Sequence, residues 1–248
     1  MDKNTIKNAV KEKYRSVALT NSGCCDSGCC SDVDLNMSLL IDYDAGGLKP
    51  VEGSDLGLGC GMPTRFAQIQ PGQTILDLGS GAGIDVFLAA QKTGPTGQVI
   101  GVDMTEEMIE KARANAEKAG ITNVDFRLGE IENLPVADES VDLILSNCVI
   151  NLAPDKSQVF AEMQRVLKPG GKFCISDVVT YGNVPETIRQ DMALWAGCVA
   201  GAMDKEEFLE LVRDCGFDDL IIHNFKIYDA AKHEDYGTGS LTLEGVKQ

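Results

Sequence analysis

The chain has 248 residues, 44% of them hydrophobic, and a formal net charge of −16. This charge argues against a nucleic-acid partner, because proteins that bind DNA or RNA neutralise phosphates with lysine and arginine. No apolar run approaches the roughly 20 residues that span a bilayer, and the first residues lack the apolar core of a signal peptide. We therefore expect a cytoplasmic protein that does not contact a membrane.

The N-terminal part, residues 1–70, is predicted to hold one helix followed by irregular chain. Apolar residues recur at helical spacing from Thr5 to Val17, which indicates an amphipathic helix. Residues 20–34 are polar and lack periodicity, so we expect a loop there. This loop contains Cys24, Cys25, Cys29 and Cys30. Cys60 follows on a glycine-rich turn.

Predicted strands and helices alternate through residues 71–180. The strands are predicted at 74–79, 99–103, 124–128, 141–146 and 172–179, and the helices at about 82–92, 106–119 and 155–167. Strands that alternate with helices of this length are typical of βαβ units and of a mostly parallel sheet covered on both faces. We therefore predict an α/β, doubly wound, Rossmann-like core.

Residues 181–248 are predicted to form a small C-terminal α/β part that covers the site. A helix after Pro185 carries Cys198, a second helix begins near Asp204, and a last strand runs over about 220–228. The core is thus flanked by a smaller part on each side.

A glycine run follows the first predicted strand, at the edge of the sheet where such folds bind ligands. Gly79, Gly81 and Gly83 are spaced G-x-G-x-G after Asp77, whereas the NAD and FAD signature is G-x-G-x-x-G. Alone, the run fits a nucleotide site and a tight turn equally well. Asp103 favours the nucleotide site, because it ends the second strand, where a carboxylate can accept hydrogen bonds from both ribose hydroxyls of an adenosine.

The order and spacing of these motifs resemble class I S-adenosylmethionine (SAM) methyltransferases. The resemblance implies that the acid after the second strand holds the ribose and that the glycine loop packs against the methionine part of the cofactor. It also implies that the segment after the third strand flanks the adenine. The cofactor residues assigned in this way are Asp77, Gly79, Ser80, Gly81, Gly83, Asp103, Met104, Glu130, Ile131 and Asn147.

The chain has nine cysteines and only two histidines, His223 and His233. An odd number of cysteines without a secretion signal favours reduced thiols over a disulfide framework. The four cysteines near the N-terminus lack the paired C-x₂-C spacing of a zinc or iron–sulfur site, so a mobile thiol relay fits them better. Cys174 lies inside a predicted strand and Cys215 at a helix end, so we expect both in the core.

Three cysteines that are distant in sequence are predicted to converge on the cofactor cleft. Cys148 follows the fourth strand, which in this fold neighbours the first, and we expect its thiol to be exposed there. Cys60 precedes the first strand, and Cys198 lies on a helix after the fifth. A single free cysteine is often a small buried hydrophobe, but three at one cofactor site favour a thiophilic substrate.

The segments that carry these cysteines, residues 57–61, 146–152 and 194–198, resemble arsenite methyltransferases. The resemblance runs from the N-terminal helix to about residue 198. It implies that trivalent arsenic is held by the thiolates of Cys60, Cys148 and Cys198. It further implies that one N-terminal cysteine, assigned to Cys30 among the four candidates, takes part in early binding or redox cycling.

The resemblance implies a SAM-dependent enzyme that methylates arsenite, or its glutathione conjugate, for detoxification. It implies no metal cofactor, and an external thiol reductant such as thioredoxin or glutathione. One alternative is a SAM methyltransferase of another small molecule, which the glycine loop supports equally but the three cysteines do not. The other is a thiol-based metalloid-binding protein without catalysis, against which Asp77, Gly79, Gly81 and Asp103 argue.

Overall fold

The structure is a computed structural model that describes residues 2–20, 49–189, 191–232 and 236–248. The cysteines at 24, 25, 29 and 30, and His233, lie outside the described residues. Within the described residues, no helix is both long enough and apolar enough to cross a membrane.

The described chain alternates helices and strands as the sequence predicts. The helices are α1 (Lys3–Thr20), α2 (Pro63–Phe66), α3 (Ile84–Thr93), α4 (Glu106–Ala119), α5 (Lys156–Val166), α6 (Glu186–Arg189), α7 (Met192–Ala196) and α8 (Lys205–Asp214). The strands are β1 (Thr74–Leu78), β2 (Gln98–Asp103), β3 (Val124–Leu128), β4 (Val141–Asn147), β5 (Leu167–Gly182), β6 (Phe217–Lys232) and β7 (Tyr236–Lys247).

All these strands form one sheet in the order β3-β2-β1-β4-β5-β7-β6. The strands β1 to β5 are parallel to one another, and β7 is antiparallel to both β5 and β6. This confirms the predicted doubly wound, mostly parallel α/β fold. Because β1 lies between β2 and β4, the chain segments that leave the carboxyl ends of these strands meet at one edge.

The strand predicted over 220–228 is confirmed within β6, but the expectation that it is the last strand is wrong, because β7 follows it. Glycines and hydroxyl residues interrupt the apolar pattern of β7. A Cβ atom at Gly237 would lie 2.3 Å from the hydroxyl of Tyr181, and one at Gly245 would lie 2.6 Å from the ring of Phe173. These glycines therefore let β7 pass close to neighbouring aromatic rings, which no local pattern reveals.

The predicted N-terminal helix is confirmed as α1, which extends beyond the predicted bounds at both ends. It buries Ile6, Val10 and Val17 along one face. Ile6 and Val10 pack in the same apolar cluster as Cys60, Cys148 and Cys198, so α1 packs beside the predicted site.

The core on one face of the sheet contains a cluster of aromatic rings. Phe173 is fully buried, with ring centroids 4.9 Å from Phe217 and 6.3 Å from Phe160. Phe160 also packs edge-on against Phe208 of α8. The rings join β5, α5 and α8 to the start of β6.

We predict that Phe173→Ala lowers the free energy of unfolding by about 3–5 kcal/mol, because it removes a buried ring and leaves a cavity. Urea unfolding followed by circular dichroism measures the change. Leu19→Ala is the control, since this side chain is 67% exposed and the loss should be within about 0.5 kcal/mol. A loss as small for Phe173→Ala as for the control would contradict the assigned core.

Candidate functional site

A cleft of about 1040 Å³, counting its open mouth, lies at the carboxyl ends of β1, β2 and β4. Small-molecule sites are typically roughly 300–1,000 Å³. Most of the predicted cofactor residues line it: Asp77, Gly79, Ser80, Gly81, Asp103, Met104, Ile131 and Asn147. Lys7, Val10 and Tyr14 of α1 line it from the other side, which the sequence did not predict.

The glycine loop between β1 and α3 shapes the floor of the cleft. Gly79 has φ +64°, and a Cβ atom there would lie 2.4 Å from the side chain of Val149. Gly81 has φ +51° and faces open space, since a Cβ atom there would meet nothing within 4 Å. Gly83 does not line the cleft, and a Cβ atom there would lie 2.7 Å from the ring of Phe87 and 3.0 Å from the ring of Phe126 in β3. The first two glycines thus shape the cleft, and the third packs α3 close to the sheet.

Asp103 is fixed by backbone donors on both of its carboxylate oxygens. Its Oδ2 accepts a hydrogen bond from Gly81 N at 3.0 Å, and its Oδ1 accepts one from Thr105 N at 2.8 Å. The residue is 9% exposed and lines the cleft. These bonds hold the carboxylate beside the glycine loop, at the position that the sequence predicts for a ribose ligand.

Glu130 does not line the cleft. Its side chain is 51% exposed and forms an ion pair of 2.6 Å with Lys7 of α1. The neighbouring Ile131 and Glu132 do line the cleft, and Glu132 also pairs with Lys7, at 3.2 Å. The segment after β3 therefore offers Ile131 to a ligand, while Glu130 tethers α1.

Three carboxyl groups are buried together in the cleft wall. Asp77 and Asp85 are each 3% exposed, and Asp77 lies near both Asp85 and Asp103. Burial raises the pKa of Asp77, and the nearby charges of Asp85 and Asp103 raise it further. Burial also raises the pKa of Asp85, to about 6. Since buried like charges oppose one another, a cationic ligand group beside these acids would stabilise their ionised forms. The sequence reasoning missed Asp85, although it lies in the first turn of the helix that follows the glycine run.

The predicted cysteines Cys60, Cys148 and Cys198 are brought together as a thiol cluster. The sulfurs of Cys148 and Cys198 are 3.6 Å apart, and the thiol of Cys60 also contacts that of Cys148. Within the described chain, no three His, Cys, Asp or Glu side chains have the arrangement of a metal site. Two sulfurs therefore form a close pair, and the third lies beside them without completing a three-ligand site.

The expectation that Cys148 is exposed is wrong, since the residue is 2% exposed. The turn after α7 covers it and carries Cys198, which lies beyond the helix end and not on the helix. Cys60 and Cys198 are also buried, at 7% and 6% exposure. The cover comes from a segment fifty residues away, which a local sequence pattern cannot show.

The backbones of Cys148 and Cys198 are left-handed, with φ +61° and φ +66°. Few residues other than glycine adopt this conformation, and it costs roughly 1–3 kcal/mol at each position. The backbone amide of Cys148 donates to the carbonyl oxygen of Ser176 at 2.8 Å, which helps to hold the strained turn. Strain that the surrounding structure maintains often accompanies a functional site.

The pKa values of the cluster thiols are raised, so the free site holds neutral thiols at neutral pH. Burial raises the pKa of Cys60. The contact with Cys198 lowers the pKa of Cys148, but the contact with Cys60 and burial outweigh it. The hydrogen bond with Cys148 and burial raise the pKa of Cys198.

Polar groups near the cluster come from distant parts of the chain, and no signal in the sequence marks them. The hydroxyl of Tyr14 lies 3.9 Å from the sulfur of Cys198. Asp177 is 2% exposed and accepts hydrogen bonds from Asn151 N at 3.1 Å and Val178 N at 2.8 Å. Burial raises the pKa of Asp177 to about 7. The carboxylate adds to the cost of negative charge on the thiols, whose pKa values it also raises.

The two other described cysteines lie away from the cluster. Cys174 is fully buried in β5 and donates to the carbonyl oxygen of Pro63 at 3.4 Å, which confirms the prediction of a core residue. Cys215 is partly buried after α8 and packs against the apolar core.

Comparisons with known proteins agree on one family. A family model described as a methyltransferase domain matches residues 69–216. An arsenite methyltransferase of Halobacterium salinarum is 49% identical over 228 residues, which are 88% of this chain and 58% of that protein. A human arsenite methyltransferase is 45% identical over 152 residues, which are 58% of this chain and 40% of that protein. The chain therefore spans little more than half of the first relative and less of the second.

A solved structure gives the same result for the fold. The crystal structure of an arsenic(III) S-adenosylmethionine methyltransferase from Chlamydomonas reinhardtii is 32% identical to this chain, with a TM-score of 0.66. The match covers 84% of this chain and 71% of that one.

The raised pKa of Asp85 predicts a pH-dependent contribution to stability. The unfolded carboxyl has a pKa of about 3.9, so between about pH 4 and pH 6 the folded protein keeps a proton that the unfolded chain releases. This contribution is full below about pH 4 and is lost as the pH rises through about 6. Asp85→Asn should therefore gain stability relative to the unsubstituted protein by about 1–2 kcal/mol between pH 5 and pH 8. Urea unfolding at several pH values measures the difference, and parallel stability curves would contradict burial of a protonated carboxyl.

Proposed function

The chain belongs to the methyltransferase family that includes the arsenite methyltransferases, and we propose that it transfers a methyl group from SAM to trivalent arsenic held by the thiol cluster. The observation that carries the proposal is the 3.6 Å separation of the Cys148 and Cys198 sulfurs, with Cys148 on the wall of the cleft. At the roughly 2.3 Å bond length of thiolate to zinc, two sulfurs on one atom lie roughly 3.3–3.8 Å apart. The pair can therefore bind one soft atom.

Charge balance favours a neutral metalloid over a divalent metal. The cluster is buried, its thiols are neutral, and the Asp177 carboxylate lies nearby. Three thiolates around a divalent cation would leave a net negative charge in this apolar setting, which is costly. Arsenite is neutral at neutral pH, and exchange of its three hydroxyls for three thiols releases three waters and leaves a neutral complex.

Three thiolates give arsenic a pyramidal geometry with a free lone pair. Soft sulfur ligands suit this soft centre, and no histidine is needed as a general base. The residue after Cys148 packs against Gly79, so the arsenic site adjoins the glycine loop. Proximity and orientation of the two reactants are then the main contributions to rate.

The cleft fits SAM in three respects. Gly81 faces open space, the hydroxyl of Ser80 is buried without a hydrogen-bond partner in the described part of the chain, and buried acids line the wall. Asp103 would hold the ribose, the glycine loop would pack against the methionine part, and Ile131 would flank the adenine. When bound, SAM supplies a methyl group on a sulfonium, which the arsenic lone pair can take.

Methylation at the lone pair oxidises arsenic by two electrons, so turnover needs a reductant. Two thiolates can leave arsenic as a disulfide, which returns one electron pair to the metalloid. Cys148 and Cys198 are close enough to form that bond, and we assign Cys30 to early binding or to the same redox cycle. A dithiol protein such as thioredoxin, or a thiol such as glutathione, would then reduce the disulfide and restore the thiols. This requirement fits a reducing cytoplasm. Arsenite or its glutathione conjugate is the proposed substrate.

We predict that Cys148→Ser abolishes arsenite methylation and leaves SAM binding intact. The change replaces a soft ligand with a hard hydroxyl of similar size. Liquid chromatography with arsenic detection measures the product, and calorimetry measures SAM binding. Cys174→Ala is the control, since this buried thiol lies away from the cluster. This substitution should lower the stability of the fold with little effect on the rate of arsenite methylation. Full activity of Cys148→Ser would refute the proposed arsenic site.

The proposed substrate has its own test in the unsubstituted protein. A protein that methylates another acceptor and never arsenite would refute the proposed substrate.

We predict that Asp103→Ala weakens SAM binding by about 1.5–3 kcal/mol, because a charge-assisted hydrogen bond to the ribose is lost. Arsenite binding without cofactor should be unchanged, since Asp103 does not contact the thiol cluster. Asp103→Asn is the matched variant, which keeps an acceptor without the charge and should lose less. Calorimetry with each ligand measures both effects. Equal losses for SAM and arsenite, with the fold preserved, would contradict the assigned cofactor site.

A further inference from the structure

The side-chain amide of Asn147 lies between the cofactor cleft and the thiol cluster. Its Oδ1 accepts hydrogen bonds from Cys60 N at 3.0 Å and Gly61 N at 3.2 Å. Its Nδ2 donates to Gly61 O at 2.9 Å and to Asp85 Oδ2 at 3.0 Å. Asn147 was assigned to the cofactor, yet its amide is engaged with the loop of Cys60 and with a buried acid.

The loop of Cys60 is positioned by side chains from two directions. Asn147 holds its backbone amides, and the hydroxyl of Ser240 in β7 donates to the carbonyl oxygen of Cys60 at 2.7 Å. Gly61 packs so closely that a Cβ atom would lie 2.5 Å from Ser176. The sulfur of Cys60 itself points to the carbonyl oxygen of Ser176, at 3.4 Å. The position of this thiol relative to the other two therefore depends on the hydrogen bonds that locate its loop.

The other end of the Asn147 amide reaches the acids of the cleft. Asp85 is buried and adjoins Asp77, and both line the space proposed for SAM. SAM carries an ammonium and a sulfonium, which favour ionised carboxylates near them. A hydrogen bond from an amide to an ionised carboxylate is shorter and stronger than one to a neutral group. A cofactor with these charges would therefore favour the ionised form of Asp85 and strengthen its bond with Asn147.

We propose that Asn147 is a positioning residue that couples the two sites: through Asp85 it responds to the charge of the cofactor, and through the loop it moves Cys60 toward the other two thiols. This inference rests on the proposed function. It explains why two sulfurs form a close pair and the third lies beside them without completing a three-ligand site. It also makes the coupling reciprocal, since any increase in arsenite affinity on cofactor binding requires the same increase in cofactor affinity on arsenite binding.

The single tryptophan of the chain provides a signal for the experiment. Trp195 packs against the thiol cluster, and its Nε1 donates to Leu152 O at 3.1 Å. Arsenite is titrated by Trp195 fluorescence without cofactor, with S-adenosylhomocysteine, and with sinefungin, in which an amine replaces the methyl sulfonium. We expect roughly 5–20-fold tighter arsenite binding with sinefungin, within the usual range of coupling, and a smaller gain with S-adenosylhomocysteine.

Three variants separate the coupling from simple stability. Asn147→Ala should weaken arsenite binding and remove most of the gain with sinefungin. Asp85→Asn keeps an acceptor for the Asn147 amide without the charge, so it should preserve binding without cofactor and reduce the gain. Ser240→Ala is the matched control, since it removes a hydrogen bond to Cys60 that does not lead to the acids. It should weaken arsenite binding in every state and keep the gain.

Phenylarsine oxide distinguishes the third thiol from the pair. It has only two exchangeable bonds to oxygen, so the Cys148 and Cys198 pair suffices, and its affinity should change less than twofold in Asn147→Ala or with sinefungin. Equal losses for both arsenicals in Asn147→Ala would show that the variant damages the pair and would overturn the positioning role.

The outcomes distinguish this inference from the proposed function. Unsubstituted protein that methylates arsenite but binds it equally well with and without sinefungin overturns the coupling alone. Protein that neither binds nor methylates arsenite overturns the proposed function and the coupling with it. If Asn147→Ala does not fold, Asp85→Asn decides: a full gain with sinefungin in that variant overturns the path through the acid, and a reduced gain supports it.

Discussion

The cost of burying charge determines what each half of this site can bind. On one side, three buried carboxyl groups face the cleft, and the pKa of Asp77 is raised by burial and by its acidic neighbours. A ligand with cationic groups relieves that cost. On the other side, three buried thiols are neutral and lie near the carboxylate of Asp177. Added negative charge would be costly there, so a ligand that leaves the thiol cluster neutral is favoured over one that charges it. The neutral amide of Asn147 joins the two halves without adding a charge to either.

The order of the strands explains why these halves are adjacent. β1 lies between β2 and β4, so the glycine loop after β1 meets both the acid that ends β2 and the turn that follows β4. Val149 lies so close to Gly79 that a Cβ atom there would clash at 2.4 Å. The residue next to Cys148 is therefore a direct neighbour of the cofactor loop. The parallel sheet thus fixes the separation of the glycine loop and the thiol cluster, and side chains only refine it.

The parallel core was predictable because strands covered on both faces leave nearly continuous apolar runs, separated by helical periodicity. The last strand, β7, was not predictable in this way. Its glycines allow close packing against Tyr181 and Phe173 and do not form a turn. Residues that follow strand ends were found in the site as expected, since topology alone brings them together. Tyr14 comes from a helix packed across the cleft, and only tertiary contacts show it. Asp85 could have been found, since an acidic residue in the first turn of the helix after a glycine loop is a local signal.

In the proposed site, the thiol cluster comprises a fixed pair and an adjustable third ligand. Cys148 and Cys198 are held on left-handed backbone, and such strain persists only where the surrounding structure over-determines it. Cys60 belongs instead to a loop located by side-chain hydrogen bonds, which shift more readily than a strained turn. In the proposed function, an arsenical with two exchangeable bonds would need only the fixed pair, whereas arsenite would use all three thiols. Under the same proposal, the reduced site would accept a substrate before and after one of its oxygens has been replaced by a methyl group, because the fixed pair alone suffices for the methylated form.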